Sequence, residues 1–148
     1  MNSKIPLKHL IYQYKLDDKI FYPSPELYRH GIPEKNMGKL YNAIDVLIGV
    51  GNEGFWLPAL ESNACGVPSI HVDYGAAPEV SVLTAKVEQY VWNNEICVKQ
   101  PLVDMDDMCR EIMKVYNNPG YYSRKALDKA RGYEWKIIID KYLSLIHI

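Results

Sequence analysis

A strand, helix and strand in the middle of the chain restrict the possible folds most strongly. "VLIGV", residues 46–50, is an unbroken apolar run of strand length, which is typical of an inner strand of a parallel sheet covered on both faces. The next helix should begin near Trp56 or Leu57, with a proline in its first turn, and end at Gly66. "SIHV", residues 69–72, predicts a second strand, in which His71 is expected to be a packed core histidine and not a catalytic base. Because a crossover of this length can hold a helix, the two strands should run parallel in an open α/β sheet.

The rest of the chain also alternates helical and strand-like patterns. Apolar residues at helical spacing predict helices at 7–14, 37–44, 105–117 and from 126 onward. Strands are predicted at 19–24 and within 87–100, and a loop rich in proline at 23–33. Neither a repeat nor a linker divides the sequence, so we expect a single domain over residues 1–148.

Composition excludes several classes of protein. With 148 residues, 48% hydrophobic and 24% charged, the chain can bury a core and is unlike a disordered segment. The net charge is −1, without a long run of one sign, so nucleic acid is not an expected partner. Cys65, Cys97 and Cys109 are too scattered for a disulfide framework. Charges interrupt the apolar N-terminal residues, which argues against a signal peptide and favours a cytoplasmic protein.

The loop "GNEGFW" joins the strand at 46–50 to the following helix. Ligands of open α/β sheets bind at the carboxyl ends of the strands, and a helix N-terminus favours phosphate by roughly 0.3 to 1 kcal/mol per charge at exposed positions. Gly54 would let the backbone approach such a group. Glu53 and Glu61 can accept hydrogen bonds from hydroxyls at different parts of one elongated ligand. Either glutamate alone is explained by the helix dipole, but the two together predict a nucleotide sugar.

The segment "LYNAIDVLIGVGNEGFWLPALESNACGVPSIHVDYGAAPEV", residues 40–80, resembles the nucleotide-sugar-binding domain of retaining GT-B glycosyltransferases, particularly family 4, glycosyl transferases group 1. The hallmark of that family is a Glu, seven residues and a second Glu within a pattern close to EGFGLPxLEAxAxGxPV. "EGFWLPALESNACGVPSI" matches it at nearly every position, and "ARGYEW", residues 130–135, resembles the segment before the last helix of the family. The resemblance implies a Rossmann-like sheet with helices on both faces, as in the donor half of a GT-B enzyme.

The resemblance also implies roles for individual residues. Glu53 corresponds to the catalytic glutamate that contacts the donor sugar near the anomeric carbon, and Glu61 to the one that binds ribose hydroxyls. The substrate-binding residues it implies are Gly54, Phe55, Trp56, Leu57 and Glu61. In this family a sugar passes from a nucleoside diphosphate to an acceptor hydroxyl with retention, usually without a metal, so we expect neither a metal nor a cofactor. "DMD", residues 104–106, matches a metal-binding signature of another transferase class, but Asp104 is better explained as a helix N-cap.

Two departures from the family pattern qualify the expected activity. Trp56 stands where the family commonly has glycine, which affects the approach to the phosphate or to the sugar face. The acceptor domain of the family, and the strand and basic pair that precede the matched region, have no counterpart here. We therefore expect a donor-binding part of a hexosyltransferase-type enzyme that is weak or inactive alone and incomplete at its N-terminus. Its partners would be the nucleotide sugar, an unknown glycan, lipid or protein acceptor, and an acceptor-domain chain or a second copy.

Two alternative functions fit the same residues. One is a non-catalytic nucleotide-sugar-binding or assembly module, which includes a truncated fragment of a transferase. The other is a GT-B nucleotide-sugar epimerase, which would share the sheet and the phosphate site, although the "EGFW" frame is less typical of it. The base, the sugar and the acceptor are not specified by the sequence.

Overall fold

A computed structural model of the protein describes residues 7–94 and 97–146. The chain forms two compact units, Met1–Pro33 and Glu34–Ile148. The described part of the first unit contains α1 (Leu7–Gln13), as predicted, and α2 (Pro25–His30). Ile11 is the buried residue of α1.

Two predictions for the first unit are wrong. Residues 19–24 form turns and irregular backbone instead of a strand, and Phe21 is 93% exposed. The described part of this unit has no strand that could satisfy the backbone of that segment. The predicted proline-rich loop contains α2, because the Ser24 hydroxyl accepts the Leu27 N–H at 3.2 Å and caps the helix. The proline that follows Ser24 is tolerated at the first helical position.

The second unit contains the predicted alternation of helices and strands. Its elements are α3 (Glu34–Tyr41), β1 (Leu47–Gly49), α4 (Leu57–Ala64), β2 (Ser69–Val72), α5 (Ala77–Val80), β3 (Leu83–Ala85), β4 (Val87–Asn93), β5 (Val98–Val103), α6 (Met105–Asn117), α7 (Pro119–Arg131) and α8 (Trp135–Ile146). Among its described residues, as in the first unit, no helix is long and apolar enough to cross a membrane.

Three of the strands form a parallel sheet in the order β1-β2-β3. Ile70 of β2 pairs with Ile48 on one side and with Leu83 on the other. All four residues of β2 are buried, as expected for an inner strand. The strand predicted at 46–50 is confirmed as β1, but its expected inner position is wrong, since β1 lies at the edge of the described sheet and Ile48 is 43% exposed. The fold is nevertheless the predicted Rossmann-like α/β class, a parallel sheet flanked by helices.

The main core lies where α6 packs against β2 and β3, around Ile70, Ala85, Met108 and Val115. Helical spacing predicts one apolar face of α6 that holds Met105, Met108, Cys109, Ile112 and Tyr116. This prediction is partly wrong, because Met105 is 61% exposed and Tyr116 is 76% exposed. Two acidic residues of α6 are buried in their place.

Asp107 and Glu111 are these two buried acidic residues. The Asp107 carboxylate accepts the Lys86 backbone N–H at 2.8 Å and a guanidinium N–H of Arg110 at 2.7 Å. Glu111 accepts the Lys114 ammonium at 2.6 Å. Burial of a carboxylate requires such partners, which a count of apolar residues does not reveal.

Strands β4 and β5 form a separate antiparallel hairpin, which confirms the strand prediction within 87–100. Residues 95 and 96 of that range lie outside the described residues. The N-cap prediction for Asp104 is also confirmed, since its carboxylate accepts the Asp107 N–H at 2.9 Å. The glycine and alanines of "DYGAAPE", residues 73–79, predict a loop, but this segment includes the start of the short helix α5.

Candidate functional site

Two loops leave the carboxyl ends of the adjacent parallel strands β1 and β2. The first, residues 50–56, leads into α4, and the second, residues 73–76, leads into α5. They are in close contact, because a Cβ placed on Gly75 would lie 3.4 Å from the Glu53 carbonyl oxygen. Gly75 has φ +61°, a left-handed conformation that favours glycine. The two loops therefore form one surface at the edge where α/β sheets bind ligands.

The turn into α4 is made by Trp56 in a left-handed conformation, with φ 53° and ψ 62°. This conformation costs a residue with a side chain roughly 1 to 2 kcal/mol. The indole packs on the His71 imidazole with ring centroids 4.6 Å apart. Both rings lie over Gly49, where an added Cβ would be 2.4 Å from His71 Cδ2 and 2.5 Å from Trp56 Cζ2. The indole therefore packs toward the sheet, and this contact offsets the strain of the turn.

His71 lies in the floor of the site and is 1% exposed. The prediction of a packed core histidine is confirmed. Its Nδ1 lies 3.0 Å from the Val72 carbonyl oxygen, while Nε2 has no hydrogen-bond partner among the described residues. With Nδ1 as the donor to the carbonyl, Nε2 would be an unprotonated acceptor.

The N-terminus of α4 offers few free backbone N–H groups to a ligand. It has no side-chain cap, but Pro58 has no N–H, and the Ala59 N–H already donates to the Trp56 carbonyl at 3.0 Å. A Cβ on Gly54 would meet nothing within 4 Å, so the backbone there is accessible. An anion at the positive end of the helix dipole would therefore be bound mainly by the backbone of the turn before α4.

Glu61 lies one turn into α4 and is held by α3. The Tyr41 hydroxyl donates a hydrogen bond of 2.6 Å to Glu61 Oε2. Tyr41 is buried and Glu61 is exposed. Burial, together with the hydrogen bond to Glu61 and its charge, raises the pKa of Tyr41. The phenol therefore stays a proton donor and fixes the orientation of the carboxylate.

Glu53 is exposed in the first loop. A Cβ placed on Gly51 would lie 3.4 Å from Glu53 Oε1, so the carboxylate folds back beside that glycine. Phe55, in the same loop, makes an edge contact with Tyr133 at 6.1 Å between centroids. Tyr133 also donates its hydroxyl to the Glu79 carbonyl at 2.9 Å. The segment before α8 thus joins the first loop to α5, the helix that follows the second loop.

The site residues predicted from the sequence lie around the start of α4. Gly54, Phe55, Trp56 and Leu57 form the turn at the start of α4, with Glu53 before it and Glu61 after it. Sequence reasoning missed the partners that orient this turn. Those partners are Tyr41, Gly49, Gly75 and Tyr133, with His71 assigned to the core only. The "ARGYEW" segment was the available signal for Tyr133, but nothing in the sequence pairs Tyr41 with Glu61.

A separate cavity of about 680 Å³ opens at the other end of the strands. It lies between the amino ends of β1 and β2 and the helices α6 and α7, and its lining includes Asp45, Pro68, Tyr116 and Ser123. None of the predicted site residues lines it. Within the described ranges, no group of three or more His, Cys, Asp or Glu side chains could hold a metal ion.

Comparison with known proteins identifies the family of the chain. The family model described as "Glycosyl transferases group 1" matches residues 2–132, a range that contains both loops, α4 and Tyr41. No curated protein matches the chain. Because the matched range covers most of the 148 residues, the chain belongs to the group 1 glycosyl transferase family.

Proposed function

We propose that the chain binds a nucleoside-diphosphate sugar at the carboxyl ends of β1 and β2 and takes part in transfer of the sugar to an acceptor hydroxyl with retention. Membership of a glycosyl transferase family supports sugar transfer. The observation that carries the donor site is the pair of exposed glutamates on either side of the uncapped N-terminus of α4.

In this proposal the diphosphate binds at the turn formed by Gly54, Phe55, Trp56 and Leu57. Negative charge accumulates on the diphosphate as the sugar leaves. The backbone N–H groups and the dipole of α4 would stabilise that charge without reorganisation during the reaction. No resident metal or cofactor is invoked.

Glu61 is proposed to bind the ribose hydroxyls. Tyr41 engages one of its carboxylate oxygens, which leaves the other to accept a hydrogen bond from the nucleoside. A carboxylate held in one orientation loses less side-chain entropy when it binds.

Glu53 is proposed as the catalytic glutamate that contacts the donor sugar near the anomeric carbon. Its loop is held against Gly75, and Phe55 is held by Tyr133. These contacts would position the sugar relative to the acceptor. The acceptor itself, in this proposal, is bound in part by another domain, a separate chain or a second copy, so the chain alone is expected to be weak or inactive.

Calorimetric titration of the chain with UDP, GDP and ADP tests the donor site. We expect at least one nucleotide to bind. Glu61→Ala should weaken it by about tenfold or more, since a hydrogen bond to a charged group contributes roughly 1.5 to 3 kcal/mol. Tyr41→Phe, which keeps the carboxylate but removes its orienting donor, should cause a smaller loss.

Glu34→Ala is the matched control, because it removes an exposed glutamate from the first turn of α3. Its affinity should equal that of the unmodified chain. Equal affinity in Glu61→Ala, or no binding of any nucleotide by the folded chain, would contradict the proposed donor site. The second of these results would favour the non-catalytic assembly module.

A further inference from the structure

One face of the β4–β5 hairpin carries aromatic side chains that the donor site does not use. We propose that this surface binds sugar rings of the acceptor, an inference that rests on the proposed transferase function. We call it the aromatic platform and define it as Tyr74, Tyr90 and Trp92, flanked by Lys99 and Pro101.

The register of the hairpin places these residues on a common face. Side chains two apart in a strand lie on the same face, so Tyr90 and Trp92 share one. Directly opposite residues of an antiparallel pair also share a face, and the partners of Tyr90 and Trp92 are Pro101 and Lys99. Tyr74 extends the platform beyond the hairpin, because its ring makes an edge contact with Tyr90 at 5.9 Å between centroids.

The rings of the platform are open to solvent. Tyr90 is 53% exposed and Trp92 is 58% exposed, whereas aromatic residues of this size usually bury most of their surface. The opposite face of the hairpin holds apolar and amide residues, namely Val91, Val98, Leu102, Gln89, Asn93 and Gln100. Asn93 donates to Gln100 Oε1 at 3.0 Å on that face. Aromatic residues are therefore confined to the platform face.

The platform is continuous with the donor site. Tyr74 lies in the loop after β2, and its neighbour Gly75 contacts the Glu53 carbonyl. A molecule lying on Tyr74 and Tyr90 would therefore be next to the loop that holds the proposed catalytic glutamate. That is the position that an acceptor of the transferred sugar requires.

The chemistry and the size of the platform fit sugar rings. Tyr and Trp present an apolar face for the C–H side of a sugar ring, with a hydroxyl or an indole N–H for its hydroxyls. Three partly exposed rings offer on the order of 200 to 300 Å². A stable protein interface buries about 800 Å² on each partner. The platform is too small to be the whole of such an interface, but it suits two or three sugar rings.

The test is a titration of the full chain with three soluble probes, maltohexaose, cellohexaose and chitohexaose, followed by tryptophan fluorescence and calorimetry. We expect at least one to bind in the millimolar range and to shift the emission of Trp92 to shorter wavelength. Trp92→Ala should weaken binding by about fivefold or more, because stacking on the indole is lost. Trp135→Ala is the matched control, since that indole is 80% exposed on α8, and it should bind normally.

Binding of none of the probes by the folded chain would overturn the platform, and so would equal affinity of Trp92→Ala and the unmodified chain. A third contradicting result is that Trp92→Ala changes only self-association, which it abolishes in sedimentation. The last result would assign the face to a contact between copies. Titration of the same samples with UDP, GDP and ADP separates this proposal from the donor site. Oligosaccharide binding without nucleotide binding would contradict the donor site alone, and the reverse would contradict the platform alone.

Discussion

Gly49 is the residue that determines how Trp56 and His71 pack. It is the last residue of β1, and the two rings occupy the space that a side chain would need. The packing of the indole on His71 compensates for the left-handed backbone of Trp56, where glycine would be unstrained. The shape of the proposed diphosphate turn thus depends on a glycine in the preceding strand.

Gly49→Ala should destabilise the chain by about 1 to 3 kcal/mol, because the added Cβ would force Trp56 or His71 to move. Urea unfolding measures the change. Gly38→Ala is the control: a Cβ at this position in α3 meets nothing within 4 Å, so the same substitution should stabilise by up to about 1 kcal/mol. Equal stability of Gly49→Ala and the unmodified chain would contradict the described packing.

Sequence and structure differ in how much of the site each reveals. Glu53, Gly54 and Glu61 can be located from the sequence, because their spacing relative to a strand end and a helix start is local. The hydrogen bond from Tyr41 to Glu61 joins residues 20 positions apart and depends on how α3 packs against α4. The orientation of Trp56 likewise depends on a neighbouring strand, which no local pattern specifies.

At the scale of elements, Asp107 links α6 to the junction between β3 and β4. The Asp107 carboxylate accepts hydrogen bonds from the Lys86 backbone N–H and from the Arg110 guanidinium. Both bonds lower the pKa of Asp107, and the bond from Lys86 contributes more. Because the pKa of Asp107 is lower in the folded chain than in the unfolded chain, the ionised carboxylate stabilises the fold at pH values above the unfolded pKa. This stabilisation is lost as the pH falls through the pKa of the folded chain.

Asp107→Asn should therefore destabilise the chain at pH 7 and have a smaller effect near pH 3, where the unmodified carboxyl is already mostly protonated in the unfolded state. Urea unfolding at the two pH values measures this. Asp128→Asn removes an exposed partner of Arg131 and should have little effect at either pH. A loss of stability in Asp107→Asn that grows on acidification would contradict the assigned role.

Elements with clear end signals were predictable, and elements without them were not. The start of α6 follows from Asp104, and β2, with only four residues, follows from the segment "SIHV" after Pro68. β3 has only three residues, too few to show a period, and it is recognisable as a strand only because β2 pairs with it. α2 was missed because three prolines suggested a loop, although one of them occupies the first helical position.

At the scale of the whole molecule, the fold class followed from the alternation of helices and strands, but the order of the strands did not. The apolar run at 46–50 indicates burial, yet β1 lies at the edge of the described sheet with Val50 58% exposed. An exposed parallel edge favours pairing with another chain. We therefore expect the chain to self-associate.

The proposed ligand sites of the second unit begin at the carboxyl ends of the strands of the parallel sheet. The loops at the carboxyl ends of β1 and β2 form the proposed donor site, and the aromatic platform begins at Tyr74 in one of them. The cavity beside Asp45 lies at the amino ends of the same strands. We therefore expect a nucleoside diphosphate to bind at the start of α4, at the opposite end of the strands from this cavity.

An NMR titration with UDP, GDP and ADP that resolves individual backbone amides tests this claim most directly. If a nucleotide binds at the start of α4, it will cause its largest shifts in the amides of residues 51–57 and 73–76, with smaller changes around Asp45 and Ser123. Largest shifts around the cavity at Asp45, or no shifts with any of the three nucleotides, would contradict it.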